Sequence, residues 1–90
     1  MTDSDPRVRY AVRMNTDALS LNERARREIR AELARQQRSQ ASLARQLGWS
    51  RMYLSNRMSG AVAIDLGDLE AIAWGLGVPA QSFIRDHLMI

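Results

Sequence analysis

The 90-residue chain has no cysteine, no lysine, one histidine and two prolines. Without cysteine, disulfide staples and thiolate metal sites are excluded. His87 has no second histidine with which to share a metal and reads as a surface or terminal residue. No apolar run approaches the ~20 residues of a membrane-spanning helix. The opening MTDSDPRVRY lacks the apolar stretch of a signal peptide, so a cytoplasmic location is expected. Neither a metal-ligand cluster nor a glycine-rich loop after a strand is visible, and the expectation is no enzyme and no cofactor. Ninety residues form one domain at most, with a small core.

All 13 basic residues are arginines, and they are unevenly spread. Residues 1–60 hold 12 arginines against six acids, net +6; residues 61–90 hold Arg85 against Asp65, Asp68, Glu70 and Asp86, net −3. A basic two-thirds joined to an acidic third is the asymmetry expected when one face meets a polyanion. Arginines solvated on ordinary helix faces give the same count.

The stretch Gln40–Gly60, QASLARQLGWSRMYLSNRMSG, explains what such a face is for. Leu43, Ala44 and Leu47 form the stripe of a short helix. Gly48 stands where the chain must leave that helix with a positive φ, which costs any residue bearing a Cβ. Ser50 is a good N-cap for a following helix whose inward pair is Leu54 and Met58. A helix, a glycine turn and a capped helix within about 20 residues is a helix-turn-helix signature, the arrangement that presents a helix to DNA. With Leu54 and Met58 inward, Met52 and Asn56 face nearly the opposite way, flanked by Tyr53, Ser55 and Ser59.

The rest of the chain supplies flanking helices. Ser20 and Glu23 match a capping box, followed by an apolar stripe at Ala25, Ile29 and Leu33 that runs to about Gln37. Ala61–Ile64 reads as a loop with Ile64 turned inward. Asp65 caps a fourth helix, with Asp68 three positions on and a core face of Leu69, Ile72, Ala73 and Leu76. Gly77 and Pro79 stop it, and a last short helix is expected over residues 80–87, offering Phe83 and Ile84 to the core. The predicted fold is all-α: a compact bundle of about five short helices at 20–90, preceded by an N-terminal basic arm or extra helix at 1–19. In that arm Ser4, Asp5 and Pro6 suit a helix start, while Val8, Tyr10, Val12 and Met14 alternate like a strand with Arg7, Arg9 and Arg13. Either form can lay those arginines on phosphates or in a minor groove.

The run from about Glu28 to Phe83 resembles the lambda-repressor-like helix-turn-helix proteins, the Xre/Cro/CI group of phage and bacterial regulators. The residues carrying the resemblance are Gln40-Ala-Ser-Leu-Ala44, Leu47-Gly-Trp-Ser50, Leu54-Ser55, Ser59-Gly60 and Asp65-Leu66, with Leu69, Ile72-Ala73 and Leu76-Gly77-Val78-Pro79. The resemblance implies that Gln40 starts the second helix on a DNA phosphate. It also implies that Arg51, Met52 and Asn56 face the major groove. Arg57 departs from the pattern, since many members carry an aliphatic residue there; Met58 is expected to fill that core slot.

The chemistry of these side chains agrees with that reading. Arginine can pair with guanine O6 and N7, and asparagine with adenine N6 and N7, each pair discriminating by about 1–3 kcal/mol. Met52 suits a thymine methyl. Arg38, Gln40, Ser50, Tyr53, Ser55, Arg57 and Ser59 are candidate backbone contacts, which fix register without reading sequence. The expected partner is double-stranded DNA, bound by a monomer or a homodimer, and the expected role is transcriptional repression in a phage or bacterial setting. The alternative is an antitoxin that also holds a toxin protein. Trp74 lies about 150° from the core face of its helix, and the chain ends in Leu88, Met89 and Ile90; exposed apolar groups of this kind mark interfaces.

Overall fold

The structure, a computed structural model, describes residues 20–84. Four α-helices follow one another: α1 (Leu21–Arg35), α2 (Gln40–Leu47), α3 (Arg51–Ser59) and α4 (Leu66–Leu76), then a 3-10 turn at Ala80–Phe83. Among the described residues there is no strand.

Local chemistry sets each helix start. Ser20 accepts the Glu23 amide at 3.1 Å while Glu23 Oε1 accepts the Ser20 amide at 3.4 Å, the reciprocal box expected there. Ser39 and Ser50 cap α2 and α3 by accepting the amides of Ser42 and Tyr53, each at 3.0 Å. At the turn between α2 and α3, Gly48 has φ +73°, a left-handed conformation that glycine adopts without a Cβ penalty. The Trp49 amide then reaches back to the Ala44 carbonyl at 2.9 Å, closing the turn.

One core joins the elements: Ala25, Ile29 and Leu33 of α1, Leu43 and Ala44 of α2, Leu54 and Met58 of α3, Ile64, four residues of α4 and Phe83. Met58 is buried, as the slot beside Arg57 requires. The α2–α4 contact is close because Gly75 has no side chain. A Cβ there would stand 2.8 Å from Leu43 Cδ1 and 3.1 Å from Leu47 Cδ2.

Polar tethers fix the connections. Asn22 of α1 accepts the Ile64 amide at 2.7 Å and donates to the Ile64 carbonyl at 3.2 Å, holding the α3–α4 loop. Gln36 donates to the Leu76 carbonyl at 2.8 Å and Arg38 to the Gly75 carbonyl at 3.0 Å, so the α1–α2 link satisfies the carbonyl end of α4.

Two boundaries differ from the sequence reading. Helix α1 ends at Arg35, and Gln37 takes φ 55°, which redirects the chain two residues earlier than the apolar pattern implied. The expected helix over 80–87 is a 3-10 turn over its first four residues. There the Ser82 amide bonds to the Pro79 carbonyl and the Ile84 amide to the Gln81 carbonyl, at 3.0 and 3.1 Å. No side chain caps this segment, and burial of Phe83 fixes it after a single tight turn. Residues 85–87, like the arm at 1–19, lie outside the described residues.

Candidate nucleic-acid interface

The outer face of α3 and the start of α2 form one surface. Gln40, Ala41, Arg51, Met52, Ser55 and Asn56 line a shared shallow depression. Met52 is 69% exposed, an unusual position for a methionine, while Leu54 and Met58 on the opposite side are buried. Arg51 and Ser55 are exposed and Asn56 is half-buried. A second depression beside the first is lined by Ala41, Arg45, Trp49, Ser50 and Arg51. Arg45 is therefore a cation of this face that the motif-based reading passed over; its exposed position five residues after Gln40 on α2 was the available signal.

Three residues expected on the backbone-contacting surface are engaged elsewhere. Tyr53 donates its hydroxyl to Asp68 Oδ1 at 2.5 Å, and Arg57 Nε donates to Asp68 Oδ2 at 3.1 Å. The guanidinium carbon of Arg57 lies 3.6 Å from the Tyr53 ring centroid, a cation–π stack, and Trp49 closes the other contact with its ring centroid 4.6 Å from that of Tyr53. Tyr53 and Arg57 thus dock α3 on α4, because Asp68 supplies an acceptor that is only 4% exposed. Arg38 is likewise turned inward, donating to the Gly75 carbonyl and, at 2.6 Å, to Gln46 Oε1. Ser50 and Ser59 stay exposed; Ser59 donates to the Asn56 carbonyl at 3.2 Å. Of the residues expected at a protein interface, Trp74 is 72% exposed; Leu66, about two turns earlier on α4, is 78% exposed. Arg7, Arg9, Arg13, Leu88, Met89 and Ile90 lie outside the described residues.

The Asp68 cluster carries the perturbed ionisations of this region. Burial pushes the Asp68 carboxyl upward, but the Tyr53 hydroxyl, the Asp65 amide and Arg57 together outweigh it and hold the group below its ordinary value. The hydrogen bond to that carboxylate raises Tyr53 above its ordinary value, reinforced by loss of solvent. Asp68 has two jobs: it closes the α4 capping box, with Asp65 Oδ1 accepting its amide at 2.7 Å, and it anchors α3. Its spacing from Asp65 predicted only the first.

The arrangement comprises a capped helix ending in a left-handed glycine, then a second capped helix with its polar face open and its apolar face buried. A helix-turn-helix family model matches residues 27–83. The chain belongs to the helix-turn-helix family, in its Xre and lambda-repressor-like branch. Neither a curated protein nor a solved structure matches it. This helix-turn-helix protein is a DNA-binding regulator of the Xre type. Among its described residues no helix is long and apolar enough to cross a membrane.

Proposed function

We propose that this protein is a sequence-specific transcriptional repressor of phage or bacterial origin, acting in the cytoplasm by laying α3 in the major groove. One observation carries the reading: Gln40, at the amino end of α2, shares a surface with Arg51, Met52, Ser55 and Asn56 of α3. A helix start binds phosphate through its free amides, and a polar helix face beside it is placed to meet base edges. Arg51 and Asn56 pair with guanine and adenine, Met52 packs on a thymine methyl, and Gln40, Ser50 and Ser55 hold phosphates. Two copies would occupy half-sites about 34–36 Å apart on one side of the duplex. Bound there, the protein excludes polymerase from the promoter.

Selection of preferred sites from random duplexes, followed by Arg51→Ala and Asn56→Ala, tests this. Each substitution is expected to flatten preference at one base pair by about 1–3 kcal/mol while leaving thermal stability intact. Unchanged discrimination in both variants removes α3 as the reading element.

The exposure of Trp74 and Leu66 favours a second reading, an antitoxin that binds its operator and also a toxin protein through α4. Co-expression with a small toxin encoded beside the gene should give a stable complex that Trp74→Ser weakens. A gene neighbourhood with no such toxin would leave the repressor reading alone.

A further inference from the structure

The carboxyl end of α3 is held by arginines of α1. Arg26 Nε donates to the Arg57 carbonyl at 2.7 Å and Arg30 Nη2 to the Met58 carbonyl at 3.0 Å, serving acceptors that the end of a helix leaves open. Arg26 is completed by Asn22 Oδ1 at 3.2 Å. A guanidinium has more N–H donors than one carbonyl can use, so Arg30, which is exposed, keeps donors to spare. Arg27 is exposed as well and has no hydrogen-bonding partner among the described residues. Arg26, Arg27 and Arg30 line a shallow hollow with Glu23 and Ser59. The Glu23 carboxylate is turned back onto the Ser20 amide.

Ser59 lies on the same stripe of α3 as Met52, Ser55 and Asn56, at steps of three and four residues. The hollow therefore continues the outer face of α3 past its last base-facing position. Nothing else basic stands on this flank among the described residues: the loop Ala61-Val62-Ala63-Ile64 is uncharged, and Arg57 is committed to Asp68.

We propose that Arg27 and Arg30 form a phosphate-binding site for the DNA backbone at the end of α3 opposite Gln40. The site rests on the reading of α3 as the groove-bound helix and extends it. It makes α1 a DNA-contacting element as well as a core helix, and gives the reading helix a backbone anchor at each end.

The test is the salt dependence of binding to a non-specific duplex, read by fluorescence anisotropy for the full chain, Arg27→Gln and Arg27→Lys. Arg27 carries the test because its side chain supports no described contact; matching melting curves check that the fold is unaffected. Each phosphate contact contributes about 0.9 to the slope of log affinity against log salt. Arg27→Gln is expected to lower that slope by about 0.9, so affinity falls about 3-fold less between 50 and 200 mM salt. Arg27→Lys should keep the slope, and site preference should be the same in all three proteins. An unchanged slope in folded Arg27→Gln, or an altered base preference, overturns the phosphate site and leaves the α3 reading standing. Absence of duplex binding by the unsubstituted chain overturns both.

Discussion

Removing Asp68 should both destabilise the fold and misplace α3, the proposed reading helix. Its carboxylate accepts from the Tyr53 hydroxyl, from Arg57 Nε and from the Asp65 amide at 3.2 Å. Breaking a fully buried ion pair from one side costs about 3–5 kcal/mol, whereas an exposed pair is worth about 0.2–1 kcal/mol. The side chains here are 4% exposed at Asp68 and 16% at Arg57, so the loss falls nearer the buried case, at about 2–3 kcal/mol. Losing the return half of the α4 capping box, the bond to the Asp65 amide, adds about 0.5–1 kcal/mol. Asp68→Ala should then cost about 3 kcal/mol and lower Tm by roughly 12–24 °C for a domain of this size. Urea denaturation followed by circular dichroism measures it. A double-mutant cycle with Arg57→Met isolates the pair, with an expected coupling of about 1–2 kcal/mol. A loss under about 0.5 kcal/mol, or a coupling near zero, refutes the assignment of Asp68 as the α3–α4 anchor. The pH profile gives an independent check. Because the Asp68 pKa is depressed in the fold, its stabilisation is complete above the unfolded carboxyl value of about 3.9. It is lost as pH falls through the lower folded value, so the gap between the parent chain and Asp68→Ala should close only in acid. Tyr53 has the opposite sense: its pKa is raised, so its contribution is complete below about 10 and lost as pH rises through the higher folded value.

Gly75→Ala opposes two effects. Alanine gains roughly 1 kcal/mol of helix propensity in α4, but its Cβ would stand 2.8 Å from Leu43 Cδ1 in a fully buried contact. Overpacking costs about 1–3 kcal/mol, so a net destabilisation of about 1 kcal/mol is expected in urea denaturation, and a stabilised variant would contradict the close α2–α4 packing. Deleting residues 1–14 removes Arg7, Arg9 and Arg13. If the arm lies on phosphates, the salt slope of DNA binding should fall by up to about 2.7; equal slopes with and without it exclude that role.

The sequence was most informative where structure is local. Ser20 with Glu23, Ser50 and Asp65 are caps because each side chain meets an amide three residues away, a distance fixed by the start of the helix itself. Gly48 turns as expected because its conformation depends on its own missing Cβ. The buried stripes of α1, α3 and α4 follow from a 3.6-residue period that needs no knowledge of what covers them. The outer face of α3 was legible as the complement of Leu54 and Met58, which is why Met52 and Asn56 could be placed on it from spacing.

Tertiary structure decided where the long side chains end. Arg57, Tyr53 and Arg38 looked like backbone contacts by position, yet their partners lie 11, 15 and 37 residues away. No periodicity encodes such a distance. Arg57 departs from the family pattern at its position, and Asp68, brought beneath it by the packing of α3 on α4, is what makes an arginine acceptable there. The bonds of Asn22 to Ile64, and of Arg26 and Arg30 to the end of α3, have the same origin. The sequence by itself determined the helices, their caps and the face that α3 leaves open. Only the packed structure decided which polar groups are consumed holding that helix in place, because a flexible side chain settles on the nearest buried acceptor and the fold chooses which acceptor that is.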